Sequence, residues 1–531
     1  MKKKKANQRL SRRQVLKSVA KVGFVGGLTP VTALRGTGSM KKNPVADENS
    51  KPGTTDWQLT YIRSKDHRSA SLEGYCSRTS VKAGEQIDVF ISSEQDTEVT
   101  IDVYRMGYYG GKGGRYITRL GPFPISPQPT PPVAQHRLRE CRWARTTAIS
   151  IPNDWLSGVY LGKLSCRHHR YESYIIFVVR DDRMADIMFQ TSDTTWNAYN
   201  KWPDDFSLYD SDLPRQAHST RSWVSYDRPY GKYPQVVDQP LSQGSGEFLL
   251  WEYPLCFWLE QHSYDVTYCS NVDTHADAKG LQRAKCFLSV GHDEYWTLDM
   301  YNNVKRAIEN GLNVGFLSGN SVKWVIDIQP ATNIQEVDSR TGLSRAGMRL
   351  ETNPDPEGNR FRTVYRLGRF GGLSDEEKAK ANYAGPFAIV GPNEGLLMGS
   401  RNPSVPNGSG DWIVRKPDHW IFEGTGMKEG EAIPGLVGWE HHGDPSNIQG
   451  LEVVAAGRTV NNGGKESESA ATVYPGPKGN WVFNAATIFW CIGLSKPPGL
   501  VPPYSHFGRP HGEDERVQRI TSNFLKRCGI K

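Results

Sequence analysis

A chain of 531 residues is too long for one ordinary domain, and its 37% hydrophobic and 23% charged content is that of a globular protein, not of a disordered one. Net charge is +8, but residues 1–36 hold ten Lys or Arg and no acid, which leaves 55 basic against 57 acidic side chains, a balance of −2, in the remainder. A nearly neutral body lacks the electrostatic footprint of a nucleic-acid binder, so no nucleic-acid partner is expected.

The N-terminus reads as an export signal. A basic start precedes an apolar, Gly-rich stretch from Val22 to Leu34, and Val31-Thr32-Ala33 supplies a small-x-Ala cleavage site. The apolar part is too short, and too interrupted by Gly and Pro30, for a stable membrane span. Ser11-Arg12-Arg13-Gln14-Val15-Leu16-Lys17 resembles the twin-arginine motif. That resemblance implies a signal peptide over 1–34, read by the twin-arginine translocation machinery, and a periplasmic, extracellular or cell-surface location. This route carries folded proteins, often with a cofactor already inserted. The eight Cys include no Cys-x-x-Cys, which argues against a zinc knuckle or a redox pair. An oxidising compartment permits a disulfide among Cys76, Cys141 and Cys166; buried free thiols are the equal alternative.

Residues 35–55 are polar and read as a linker. Residues 56–182 read as all-β. Ile87, Val89 and Ile91 alternate with other residues, as do Val99, Ile101 and Val103, and two later apolar runs complete the signature of an immunoglobulin-like β-sandwich. Six Pro between Gly121 and Gln135 predict a loop. The aromatic, Gly-rich Arg105-Met-Gly-Tyr-Tyr-Gly-Gly either packs on the next domain or contacts a ligand. Residues 183–531 read as an α/β domain. Strands are expected at Ile187–Gln190, Tyr264–Tyr268, Cys286–Val290 and Val314–Leu317, alternating with helical patterns over Gly246–His262 and Leu298–Asn310. That alternation predicts a mostly parallel sheet with helices on both faces. Further strands are expected at Phe387–Val390, Gly438–Glu440 and Trp481–Asn484, and a helix over Ala485–Leu494.

The richest stretch is Cys286 to Trp296. A short apolar run is broken by Gly291, and His292, Asp293, Glu294, Tyr295 and Trp296 follow at once. Sites in open α/β sheets lie just past the carboxyl ends of strands, so a His and two acids there are candidates for metal ligation or proton transfer, against the bland alternative of a solvated loop. Adjacent His441 and His442 are disfavoured as a metal pair, because neighbouring side chains on a strand point apart.

Several segments line up with a known family. Gly291–Trp296 (Gly-His-Asp-Glu-Tyr-Trp), Trp196–Asn200, Ser225–Tyr230, Ser318–Trp324 and Pro434–Glu440 resemble the large subunit of N,N-dimethylformamidase, over roughly residues 60–500. The resemblance implies a class I glutamine-amidotransferase-like fold for the α/β domain, without the amidotransferase's nucleophilic Cys, since Cys286 lies inside its strand. It further implies a mononuclear ferric ion held by two tyrosinates and a glutamate. Glu294 matches the glutamate and Tyr199 one tyrosine; Tyr226 is taken as the second, with Tyr209 as runner-up. His292, Asn320 and Glu440 match functional positions. The implied substrate is a small non-peptide amide, and the family's enzymes also use a small partner subunit; a homo-oligomer is the alternative association.

The leading expectation is an exported, metal-dependent hydrolase of C–N bonds. A hard cation on two phenolates and a carboxylate keeps open positions for water and substrate. Two alternatives stand beside it. One is a non-catalytic cell-envelope protein that binds glycan or protein. The other is a carbohydrate-active enzyme using Glu294 and Glu440 as paired acids.

Overall fold

The computed structural model describes residues 43–62, 67–134, 137–166, 170–210, 222–232, 240–329, 360–363, 391–403, 407–501 and 512–531. The export signal read at 1–34 and the strand read at Phe387–Val390 lie outside them. Among the described residues no helix is long and apolar enough to cross a membrane.

The expected linker is partly a helix, Pro44–Asn49. Asn43 Oδ1 accepts from the Val45 and Ala46 amides, and Glu48 pairs with Arg115 at 2.6 Å and accepts from the Tyr109 hydroxyl. Two sheets then face each other. One has three antiparallel strands (Glu73–Cys76, Gln86–Ser92, Thr147–Ser150). The other has five, in the order Ser80–Lys82, Glu172–Arg180, Gly158–Cys166, Thr97–Met106, Gly114–Ile125. The alternating positions fill the shared core: Ile87, Val89 and Ile91 from one sheet meet Val99, Ile101 and Val103 from the other. The Pro-rich stretch is strand as far as Ile125, contrary to the loop expectation. Gly114–Ile125 is an edge strand, where Pro122 and Pro124 interrupt no second ladder.

Arg105, at the end of Thr97–Met106, settles how this layer meets the next. Its guanidinium grips both oxygens of Glu260, at 2.9 and 2.8 Å, with both side chains fully buried. Glu260 belongs to the helix Tyr253–Gln261, so the aromatic Gly-rich segment is a packing joint.

The second layer is built on a nine-stranded sheet. Five strands run parallel, in the order Val266–Cys269, Ala185–Gln190, Ala284–Gly291, Asn313–Ser318, Trp481–Asn484. Four more continue antiparallel: Glu466–Pro475, Glu452–Asn461, Gly408–Ile413, Ala432–Val437. The sheet is therefore mixed, not mostly parallel. The antiparallel part follows from a hairpin, Asn461-Asn-Gly-Gly-Lys465, whose tight turn permits no crossover helix. Helices cover both faces. Val304, Ala307 and Ile308 of Leu298–Glu309 pack with Phe287, whereas Leu255 and Phe524, from Tyr253–Gln261 and Glu515–Arg527, pack with Leu288 and Val290. Two further expectations fail. The strand stops at Val437, before Trp439, and Ala485–Leu494 holds only a 3-10 turn at Cys491–Gly493. That run is apolar because it is buried, not because it has a helical period.

Candidate functional site

The site forms where three parallel strands end. Gln190 leads through Ser192 into the helix Asp193–Tyr199; Gly291 leads into His292–Trp296; Ser318 leads into Gly319–Trp324. Two of these exits are steric. Gly291 takes φ +63°, and a Cβ there would lie 2.8 Å from the Trp251 Cβ. At Gly319 a Cβ would lie 2.1 Å from the Glu440 carbonyl oxygen, so only glycine lets these two segments touch. Asp293 staples the turn: it accepts from Ser289 and Gln190 at 2.7 Å and Asn271 at 2.9 Å, and burial pushes its carboxyl up to about 6.

Glu294, 2% exposed, is the hub. Its amide donates to Thr195 Oγ1 and its carbonyl accepts from the Lys323 and Trp324 amides, which fixes the backbone. Oε1 accepts from Asn320 Nδ2 at 2.9 Å and Trp324 Nε1 at 2.8 Å. Oε2 accepts from Tyr199 at 2.8 Å and Tyr209 at 3.3 Å, and the Tyr209 hydroxyl donates to the Tyr199 hydroxyl at 2.8 Å. Three oxygens capable of negative charge thus lie within 3.3 Å of one another. His292 Nε2 stands 3.2 Å from Oε2 without the alignment of a hydrogen bond, and its Nδ1 meets Glu247 at 3.2 Å. Burial opposes the charge on His292, but the two carboxylates outweigh it and hold its pKa well above the ordinary imidazole value. Glu440 is buried beside this group; burial and the Glu294 carboxylate push it up to about 8.

The donor set fits a hard cation. Neighbouring oxygens bound at about 2 Å to one ion sit about 3 Å apart, and the Tyr199, Tyr209 and Glu294 oxygens already have that spacing. Among the described residues no group of three or more His, Cys, Asp or Glu side chains could hold a metal; this cluster is two phenols and one carboxylate.

Of the residues singled out by sequence, Tyr199, His292, Glu294 and Asn320 meet here, with Glu440 buried alongside. Tyr226 is elsewhere: its hydroxyl donates to Asp193 Oδ2 at 3.0 Å, and Tyr209 supplies the second phenol. Asn320, matched to a functional position, uses one amide hydrogen on Glu294 and so positions the carboxylate. His442 accepts from the Ser321 amide at 2.8 Å and faces Asn484 at 2.8 Å, while burial lowers its pKa to about 3; it is a neutral structural imidazole. Sequence reasoning gave no role to Glu247, Trp324 or Tyr295. The signal for Glu247 was its place directly before the apolar run Phe248–Trp251, where a helix begins.

No curated protein matches the sequence. A family 123 glycoside hydrolase from Clostridium perfringens matches among solved structures, with 10% identity over 49% of this chain and 71% of that one, at a TM-score of 0.10, too low to show a shared fold. A family model does match, over residues 100–505, from within the strand that carries Arg105 to beyond the last strand of the large sheet. The chain belongs to the N,N-dimethylformamidase beta subunit-like, C-terminal family.

Proposed function

We propose that the protein is an exported hydrolase of amide or related C–N bonds that works with a hard cation, iron(III), held by Tyr199, Tyr209 and Glu294. One observation carries this reading: the three oxygens, two from the end of the helix Asp193–Tyr199 and the turn after it and one from the turn after Ala284–Gly291, lie within 3.3 Å of one another. A trivalent ion favours anionic oxygen donors, and when bound it would polarise a substrate carbonyl and acidify water.

The chain's own groups handle the protons. His292 presents Nε2 to the Glu294 edge of the site, and Glu247 fixes the ring through Nδ1. His292 is thus the candidate for orienting the attacking water. The Glu440 carboxyl makes no hydrogen bond among the described residues and is the candidate for delivering a proton to the departing nitrogen. Asn320 and Trp324 hold the far oxygen of Glu294, so that Oε2 keeps its direction. Tyr199, His292, Glu294, Asn320 and Glu440 are almost wholly shielded from bulk water and Tyr209 is partly so, which strengthens their polar contacts.

The test is spectroscopic and elemental. Protein loaded with iron before purification is expected to hold stoichiometric iron, to absorb visible light as tyrosinate–iron(III) does, and to hydrolyse members of a panel of small N-substituted amides. Tyr209→Phe should lose colour and activity, and Tyr226→Phe should keep both. Colourless, iron-free protein after loading would sink the proposal.

A further inference from the structure

The third phenol of the cluster has no role in the mechanism above. Tyr295 is fully buried, and its hydroxyl donates to that of Tyr209. Three hydroxyls thus form a directed relay: Tyr295 to Tyr209, Tyr209 to Tyr199, Tyr199 to Glu294 Oε2. Tyr295 is also held in place. It lies in the short strand Tyr295–Thr297, parallel to Trp324–Gln329, and its carbonyl accepts from Thr194 Oγ1 at 2.6 Å. Its ring stands edge-on to those of Tyr199 and Tyr209, at 84° and 89°.

We infer that Tyr295 is a positioning residue that keeps its proton when the cation binds and donates it to the Tyr209 phenolate. This rests on the cation reading proposed above. A cation that binds Tyr199 and Tyr209 displaces the protons these two share with Glu294. The Tyr295 proton lies at the far end of the relay, and a buried hydroxyl needs an acceptor. Tyr209 as a phenolate is a stronger acceptor than as a phenol, so this contact tightens on loading. The hydrogen bond withdraws charge from Tyr209, lowers the energy of its donor electrons and orients its ring.

Iron(III)-loaded wild type and Tyr295→Phe are compared by visible absorption and by iron affinity. Without the hydrogen bond the charge-transfer band is expected to move to longer wavelength and iron affinity to fall about 10-fold or more, the range seen for outer-shell partners. A role in packing alone would leave the band in place. An unchanged band in a folded, iron-loaded Tyr295→Phe protein overturns the assignment while leaving the cation reading intact. A colourless wild type removes both. A second measurement serves where Tyr295→Phe does not fold. In wild type loaded with gallium(III), a colourless trivalent ion, the Tyr295 proton is expected as a slowly exchanging, downfield hydroxyl resonance, and its absence overturns the assignment.

Discussion

The helix Asp193–Tyr199 carries an acid at its first residue and a phenol at its last, and each end makes an acid–phenol hydrogen bond of ordinary length. The two ends nevertheless differ in kind. At the Asp193 end, Tyr226 and the Asn271 amide, the latter at 2.6 Å, converge on one carboxylate, which thereby has its acceptors met by fixed donors. At the Tyr199 end, the phenols converge on each other as well as on the acid. Oxygens crowded in that way stay neutral by sharing protons, and become stable as anions only with a cation among them. An acid–phenol contact is therefore no mark of a site by itself; two phenols sharing one carboxylate oxygen are.

The sharpest way to break this comparison is to remove each acid. Glu294→Ala should lower iron affinity by more than about 100-fold, beyond the loss typical of outer-shell partners, whereas Asp193→Ala should retain iron while losing stability. If both variants lose iron alike in metal analysis of folded protein, the two ends are not distinct.

A pH series gives the next largest effect. Burial, against the Asn271 amide and the Tyr226 hydroxyl, holds the Asp193 carboxyl up at about 7. Its folded value thus lies above the unfolded one, so its contribution to stability is full below about pH 4 and is lost as pH rises to about 7, on the order of 4 kcal/mol in all. Urea unfolding across that window should show the decline in wild type, and Asp193→Asn should make it shallower, the raised Asp293 carboxyl supplying the remainder. An identical slope in both proteins would contradict the assignment.

The smallest effect expected is at Asn320, which sits at φ +53° and bonds Glu294 through its side chain. Asn320→Gly keeps the backbone relaxed and removes the amide. Activity is expected to fall about 10- to 100-fold in both Asn320→Gly and Asn320→Ala. A loss confined to Asn320→Ala would trace the effect to the backbone instead.

What could be read from sequence follows from range. The strand Ala284–Gly291 and the helix Leu298–Glu309 were legible because their signals are local: an apolar run stopped by Gly291, and a helical apolar pattern over Leu298–Asn310. Tyr209 against Tyr226 was not legible. Both follow Tyr199 in polar, aromatic segments without periodicity, and only the returning path of the chain decides which hydroxyl arrives. Glu247 reaches His292 across 45 residues, a distance no local pattern spans. The antiparallel half of the large sheet did leave a local trace, in Asn461-Asn-Gly-Gly-Lys465, but the preceding strand–helix alternation pointed the other way.

The grip of Arg105 on Glu260 bears on how this protein can be cut. A recombinant fragment starting after Arg180 would strip Glu260 of Arg105 and bare the apolar side chains, Phe257 and Leu259 among them, that share one core with Met106, Leu161 and Tyr174 of the removed layer. The helix holding Glu260 continues directly from the Phe248–Glu252 turn that follows Glu247, so the damage would travel toward His292. The facing sheets are thus no detachable ornament on an autonomous enzyme. Evolution is expected to have shuffled, lost or kept the two layers together.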